Sequence, residues 1–245
     1  MPLLFFYFSF ILSFMIKGFR GTSLVDYPGR ISSVIFTYGC NFRCPYCYNI
    51  DLVLPERFNL LEDIPEEAIL KELERRKGFI KGVVITGGEP TLWGRRLITF
   101  IERIRFEIEL PVKLDTNGSA PDLVKSLVEM DIVDFWAVDF KTSPQKYHKV
   151  KGDFTKVKET FKILKKIPEK VEIRITCYPP LITEKDLKEM LPYLKDFKFI
   201  AIQKYVPAEE TLSGEKVTPY SEEFYQEIST FLKTQLPEAE IIKRY

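Results

Sequence analysis

Six short runs of apolar, β-favouring residues recur along the chain, each followed by a longer stretch with helical periodicity. They are ISSVIFTY (31–38), GVVITG (82–87), PVKLDT (111–116), IVDFWAVDF (132–140), VEIRIT (171–176) and FIAIQKY (199–205). Most are continuous rather than alternating, the pattern of strands buried on both faces of a parallel sheet. The spacing predicts helices over 65–76, 95–107, 121–130, 155–167, 183–195 and 221–234, with a short tail strand near 240. Acidic residues such as Glu66 and Glu67 open the first of these, as the helix dipole favours. Strands and helices alternating in series predict a parallel α/β fold, either an open doubly wound sheet or a curved, incomplete barrel. No proline- or glycine-rich linker divides the series, so residues 15–245 read as one domain.

The balance of 45% hydrophobic and 29% charged residues excludes a disordered or collagen-like chain. A net charge of +1 gives no global field that would attract nucleic acid or an anionic membrane. One histidine, His148, excludes centres that need two or three imidazoles, and it reads as a surface residue. Residues 2–16 are almost wholly apolar, but a membrane helix needs about 20 such residues. No basic residue precedes this stretch and no small-residue cleavage site follows it, so residues 1–14 read as an upstream misassigned start, with a short interfacial anchor as the alternative. A cytoplasmic protein without stable membrane insertion is expected. Residues 141–170 carry ten lysines against Asp153, Glu159 and Glu169, either a solvated face or a docking surface for an acidic partner.

Three of the four cysteines fall within eight residues, too crowded for a disulfide framework in a chain of this length. The segment GCNFRCPYC places Cys40, Cys44 and Cys47 in a C-x3-C-x2-C array directly after the 31–38 strand. A structural zinc site wants four ligands. His148 is about a hundred residues away, and Cys177, in the 171–176 strand region, reads as a buried apolar residue. Three thiolates can instead hold a [4Fe-4S] cluster and leave one iron open to an exogenous molecule.

With Tyr46 before the last cysteine, this array resembles that of the radical S-adenosylmethionine (SAM) superfamily. The resemblance runs over nearly the whole chain from about residue 17. It implies a partial (β/α)6 TIM-like barrel of parallel strands, open on one side, with a [4Fe-4S] cluster on the three cysteines. It also implies SAM chelated to the fourth iron and cleaved reductively to methionine and a 5'-deoxyadenosyl radical. The turn Gly87-Gly88-Glu89-Pro90 at the end of the 82–87 strand resembles the superfamily's GGE motif, which contacts the amino group of the methionine moiety. Paired glycines there leave backbone groups available to a ligand.

The other strand candidates also end in polar residues: Asp115, Thr116 and Asn117; Asp139 and Lys141; Arg174 and Thr176; Gln203 and Lys204. Barrel enzymes gather their active sites at that end. The opening SLVDYPGRISSVIFTYGCNFRCPYCYN resembles glycyl-radical activating enzymes, which carry a D-x-P-G turn before the first strand. That resemblance implies a monovalent cation among Asp115, Thr116 and Asp139, and a cofactor contact from Lys141. Asn117, Arg174 and Gln203 are candidate contacts for ribose, carboxylate or adenine. The CYN at Cys47 to Asn49 is most similar to the activating protein of anaerobic ribonucleoside-triphosphate reductase. The implied partners are that glycyl radical enzyme and an electron donor such as flavodoxin or ferredoxin. The alternatives are a superfamily enzyme acting on a small molecule, such as a deazapurine precursor, and an interaction module with a structural metal.

Overall fold

In the computed structural model, which describes residues 14–244, the strands form one eight-stranded sheet whose spatial order is the chain order. Residues 1–13, which hold nearly all of the apolar leader and its reading as a misassigned start or anchor, lie outside the described residues. The six strands read from the sequence appear as β2 (Arg30–Thr37), β3 (Val83–Gly87), β4 (Val112–Thr116), β5 (Phe135–Asp139), β6 (Val171–Cys177) and β7 (Phe199–Lys204). The tail strand is β8 (Glu240–Arg244). From β2 to β8 every neighbouring pair is parallel. The helices are α1 (Ile50–Val53), α2 (Glu66–Arg76), α3 (Arg95–Arg103), α4 (Pro121–Glu129), α5 (Phe154–Leu164), α6 (Glu184–Leu194) and α7 (Glu222–Gln235). Helix α3 runs on into a π turn at Ile104–Ile108, so the 95–107 helix is one continuous element. Among the described residues no helix is long and apolar enough to cross a membrane.

The sequence reading lacks one strand. Strand β1 (Ile16–Tyr27) pairs antiparallel with β2 through a turn at Pro28 and Gly29, whose φ of 69° suits glycine. Its register shifts three times, between Ile16 and Gly18, Arg20 and Ser23, and Ser23 and Tyr27. Each irregularity breaks the two-residue alternation that marks a strand in sequence. The D-x-P-G segment is therefore the turn of a β1–β2 hairpin, and the strand that leads into the cysteines is the second.

The two faces of the sheet differ. The outer face carries Ile35, Ile85, Leu114, Val138, Ile173 and Ile200, all fully buried in one cluster with the helices. The inner face has a small apolar plug of Tyr27, Val34 and Val84, with Phe36 and Phe135 against it, and beside it carries the charged residues of β4, β5 and β6. Residues two apart on a strand share a face, so Lys113 and Asp115, or Glu172 and Arg174, point inward together. Lys113 is only 1% exposed and Glu172 fully buried. Arg244 of β8 donates to Glu172 at 2.5 Å, tying the last strand to β6.

Leu114 sits mid-sheet with no exposed surface. Leu114→Ala is expected to lower the unfolding free energy by about 2–5 kcal/mol, read as a fall in the urea midpoint at unchanged denaturant slope.

Candidate active site at the carboxyl ends of the strands

The cysteine loop begins where β2 ends and folds over the carboxyl ends of the strands. Its path is held by backbone hydrogen bonds to four other segments. Gly39 N–H donates to Leu52 O at 2.8 Å, Arg43 N–H to Val150 O at 2.8 Å, and Leu212 N–H to Cys47 O at 3.0 Å. From the neighbouring strand end, Gly88 N–H donates to Thr37 O at 2.9 Å and Glu89 N–H to Gly39 O at 2.7 Å. This contact explains both glycines. A Cβ at Gly87 would lie 2.2 Å from Thr37 O, and one at Gly88 would lie 2.2 Å from Gly39 O. The sequence expectation that these glycines free their backbone for a ligand is corrected in part, because the Gly88 N–H is spent on Thr37 O at the end of β2.

Cys40, Cys44, Tyr46, Cys47, Gly87, Gly88, Glu89, Asp115, Thr116, Asn117, Asp139, Lys141, Arg174, Thr176 and Gln203 line one cavity of about 330 Å³, whereas Lys204, the remaining strand-end residue read from the sequence, is not part of its lining. The thiols of Cys40, Cys44 and Cys47 are free, with Cys44 buried and the other two half-buried. Burial, with the Glu89 charge added, pushes the Cys40 thiol up to about 12. Burial likewise raises Cys44 to about 11 and raises Cys47. The Tyr46 ring packs at a tilt against Tyr178, with 5.2 Å between centroids, and lies under the Lys141 ammonium at 5.9 Å. Cys177 is fully buried in β6, and His148 is exposed on a turn with Nδ1 against Gln145 O, so neither supplies a fourth ligand. Among the described residues no three Cys, His, Asp or Glu groups stand close enough to hold a single ion. Three soft thiols along a cavity wall, with no fourth protein donor, fit a [4Fe-4S] cluster that keeps one iron open.

Glu89 is 1% exposed and accepts four hydrogen bonds, from Thr91 N and Oγ1 (3.1 and 2.6 Å), Thr116 Oγ1 (2.7 Å) and Asn117 N (2.6 Å). Burial raises its pKa despite these donors. A second fastening was not anticipated. Asn117 Nδ2 donates to Asn41 Oδ1 at 3.0 Å, and Asn41 Nδ2 to Ser119 Oγ at 2.8 Å, linking the cysteine loop to the end of β4. An asparagine inside the C-x3-C spacing was the available signal. Asp26 of the D-x-P-G turn and Asn49 of the CYN also line the cavity, a role the sequence did not assign to them.

Deeper in, charges alternate across three strands. Arg174 on β6 donates from Nη1 to Asp115 and from Nε to Asp139, both at 2.8 Å. Lys113 holds the other oxygen of Asp115, and Lys141 holds that of Asp139 at 2.8 Å. Burial opposes ionisation of both carboxyls, but Arg174 and the neighbouring lysines overcome it and hold both below the usual carboxylate range. The structure departs here from the monovalent cation implied for Asp115, Thr116 and Asp139. The charge between the two aspartates is a guanidinium, and Thr116 Oγ1 instead donates to Glu89 and accepts from Gly118 N. Gln203 Oε1 accepts from Thr176 Oγ1 at 3.3 Å.

Because the folded-state pKa values of Asp115 and Asp139 are depressed, their contribution to stability is present above about pH 4 and is lost as pH falls through the folded values. Arg174→Met leaves two buried carboxylates with one cation each and is expected to cost about 3 kcal/mol at pH 7. In denaturant titrations the gap to wild type should narrow below about pH 4.

Residues 34–200 match the Radical SAM superfamily. A protein of Methanocaldococcus jannaschii named for glycyl-radical enzyme activation is 34% identical over 200 residues, covering 79% of this chain and 80% of the relative. The pyruvate formate-lyase-activating enzyme of Clostridium pasteurianum is 27% identical over 205 residues, 78% of this chain and 81% of its own. Among solved structures, anSMEcpe with bound AdoMet superposes with a TM-score of 0.62 at 20% identity, over 84% of this chain and 61% of that one. At that identity the likeness speaks for the fold alone. With a half-barrel of the same kind and the family match spanning both the cysteine loop and the strand ends, this chain belongs to the radical SAM superfamily, whose enzymes work with a [4Fe-4S] cluster and S-adenosylmethionine.

Proposed function

We propose that this chain, through residues 15–245, activates a glycyl radical enzyme by removing a hydrogen atom from a backbone glycine of that partner. The observation that carries the reading is the single cavity in which three thiols and the strand-end polar groups meet. The relatives named for glycyl-radical activation and pyruvate formate-lyase activation support it. When bound, the cluster and SAM supply a 5'-deoxyadenosyl radical able to take that hydrogen atom.

In this reading Cys40, Cys44 and Cys47 are the cluster ligands and must lose their protons to bind it. Glu89 keeps one oxygen with a single internal donor, Asn117 N, and so can accept from the ammonium of SAM's methionine moiety. Lys141, whose pKa Asp139 raises well above the ordinary value against the effect of burial, stays cationic and can face a carboxylate. Asn117, Arg174 and Gln203 then remain for the ribose, carboxylate or adenine. A cavity of about 330 Å³ is at the small end of ligand pockets, about 300–1,000 Å³. It suits the cofactors with a substrate loop entering from outside better than cofactors with a separately enclosed small substrate. The partner we favour is anaerobic ribonucleoside-triphosphate reductase.

Alanine at Cys40, Cys44 or Cys47 is expected to abolish iron and sulfide uptake, seen in metal analysis and visible absorbance. Lys141→Ala should keep the cluster and weaken SAM binding by about tenfold, in line with the loss of one charge-assisted contact. A normal cluster in Cys44→Ala would contradict the ligand assignment.

After anaerobic reconstitution and reduction, the protein should form 5'-deoxyadenosine from SAM. With the reductase added, the paramagnetic resonance spectrum should show a glycyl radical. 5'-Deoxyadenosine without that radical, together with turnover of a deazapurine precursor, would move the assignment to the small-molecule reading.

A further inference from the structure

Asn117 is 5% exposed and lines the cavity, yet the two residues that orient its amide, Ser119 and Asn41, lie outside the lining. A side-chain amide can be turned over with little change of shape, so a neighbour of known polarity has to fix which end donates. Here that neighbour is the backbone N–H of Ser119, which can only donate and does so to Asn117 Oδ1 at 2.9 Å. The amino end of Asn117 is thereby turned to Asn41, whose Oδ1 it meets at 3.0 Å. Asn41 then presents its own Nδ2 on the other side, where it donates to Ser119 Oγ at 2.8 Å. One backbone N–H sets the polarity of two side-chain amides. Asn41 takes one of the two amino hydrogens of Asn117, and the second is left over among the described residues.

Asn41 is exposed on the cysteine loop, and the backbone around it is secured by other bonds. In the turn after β4, Asn117 N–H donates to Glu89 at 2.6 Å and Gly118 N–H to Thr116 Oγ1 at 3.1 Å, while Gly118 O accepts from Thr160 Oγ1 at 2.8 Å. The cysteine loop keeps Arg43 N–H on Val150 O and Leu212 N–H on Cys47 O. What Asn41 supplies is the second of two points that fix the plane of the Asn117 amide. With Ser119 N–H alone, the amino end is free to swing about a single hydrogen bond.

We propose that Asn41 is a positioning residue for S-adenosylmethionine, holding the Asn117 amide so that its remaining N–H meets an acceptor oxygen of the bound cofactor. Asn117 touches the cofactor, and Asn41 acts through it. This role rests on the cavity being the cofactor's site and is independent of the glycyl-radical partner.

The test uses the full chain with its cluster reconstituted and kept oxidised, so that SAM binds without being cleaved, and reads affinity by anaerobic calorimetry. Asn41→Leu keeps a branched shape and removes both hydrogen bonds. It should weaken SAM binding by about three- to tenfold, the worth of one hydrogen bond, with iron and sulfide content as in wild type. Asn41→Asp keeps the acceptor for Asn117 and lets the Ser119 hydroxyl donate to it, so affinity should return to within about twofold of wild type. Asn117→Ala should lose at least as much as Asn41→Leu. The double variant should bind no more weakly than Asn117→Ala, because a residue that acts only through another adds nothing once that other is gone. Should Asn117→Ala lose its cluster, the contrast between Asn41→Leu and Asn41→Asp still decides. Wild-type affinity in Asn41→Leu, equal losses in Asn41→Leu and Asn41→Asp, or losses that add in the double variant would overturn the role. A fall in iron and sulfide in Asn41→Leu would also overturn it, making Asn41 a fastening of the cluster loop instead. If wild type with a full cluster binds no SAM, the cavity assignment itself fails, and the role with it.

Discussion

Two backbone hydrogen bonds, from Gly88 to Thr37 and from Glu89 to Gly39, lay the end of β3 against the start of the cysteine loop. Such close approach excludes a Cβ at either glycine of the Gly87–Gly88 pair. Once it is made, Glu89 is drawn under the loop, where Thr91, Thr116 and the Asn117 backbone hold its carboxyl. Asn117 in turn holds Asn41. A loop of nine residues with no regular structure is thereby tied to the ends of three strands, and its three thiols acquire fixed places along one wall. The preorganisation on which cofactor chemistry depends comes from these hydrogen bonds rather than from the cysteines.

The inner face of the half-barrel sets a second constraint. A parallel sheet covered by helices on one side gains its stability from the outer apolar layer, here Ile35, Ile85, Leu114, Val138 and Ile173. The inner face is then free to carry charge, provided each charge is answered. Lys113, Asp115, Arg174, Asp139 and Lys141 answer one another in a line across β4, β5, β6 and the loop after β5. Their order follows from strand register, since Asp139 is aligned with Arg174 and Asp115 stands one strand further on. A pair of oppositely charged residues one strand apart is cheap to hold in place, because the sheet has already fixed both backbones.

Much of this was legible in the sequence because parallel strands announce themselves as unbroken apolar runs and end where polarity returns. Asp115, Thr116, Asp139, Arg174 and Gln203 could be placed at one end of the sheet on that ground alone, and the structure brings them into one cavity. Strand β1 was not legible, because its bulges scramble the alternation and its residues are mostly half-buried or exposed. Nor was the pairing of Arg174 with two aspartates, which lie 59 and 35 positions away in the chain. Spacing along a strand shows which residues share a face but not which strands are neighbours. The glycines of the β3 turn were noticed for the right property, room for a close approach, but what approaches is the chain's own cysteine loop.

The same economy shapes how any change at the site will express itself. Glu89, Asp115, Asp139 and Arg174 each hold several parts of the fold while facing the cavity. Removing one leaves partners that are buried and unanswered, and such groups cost more than the contact itself was worth. Loss of activity at these positions therefore mixes two causes, a missing contact to the cofactor and a loosened frame around it. Lys141 and Gln203 are simpler reporters. Lys141 touches the charge line only at its end, through Asp139, and Gln203 is held by one hydrogen bond of 3.3 Å from Thr176. The polar groups least embedded in the fold are the ones whose replacement speaks most directly about what the cavity binds.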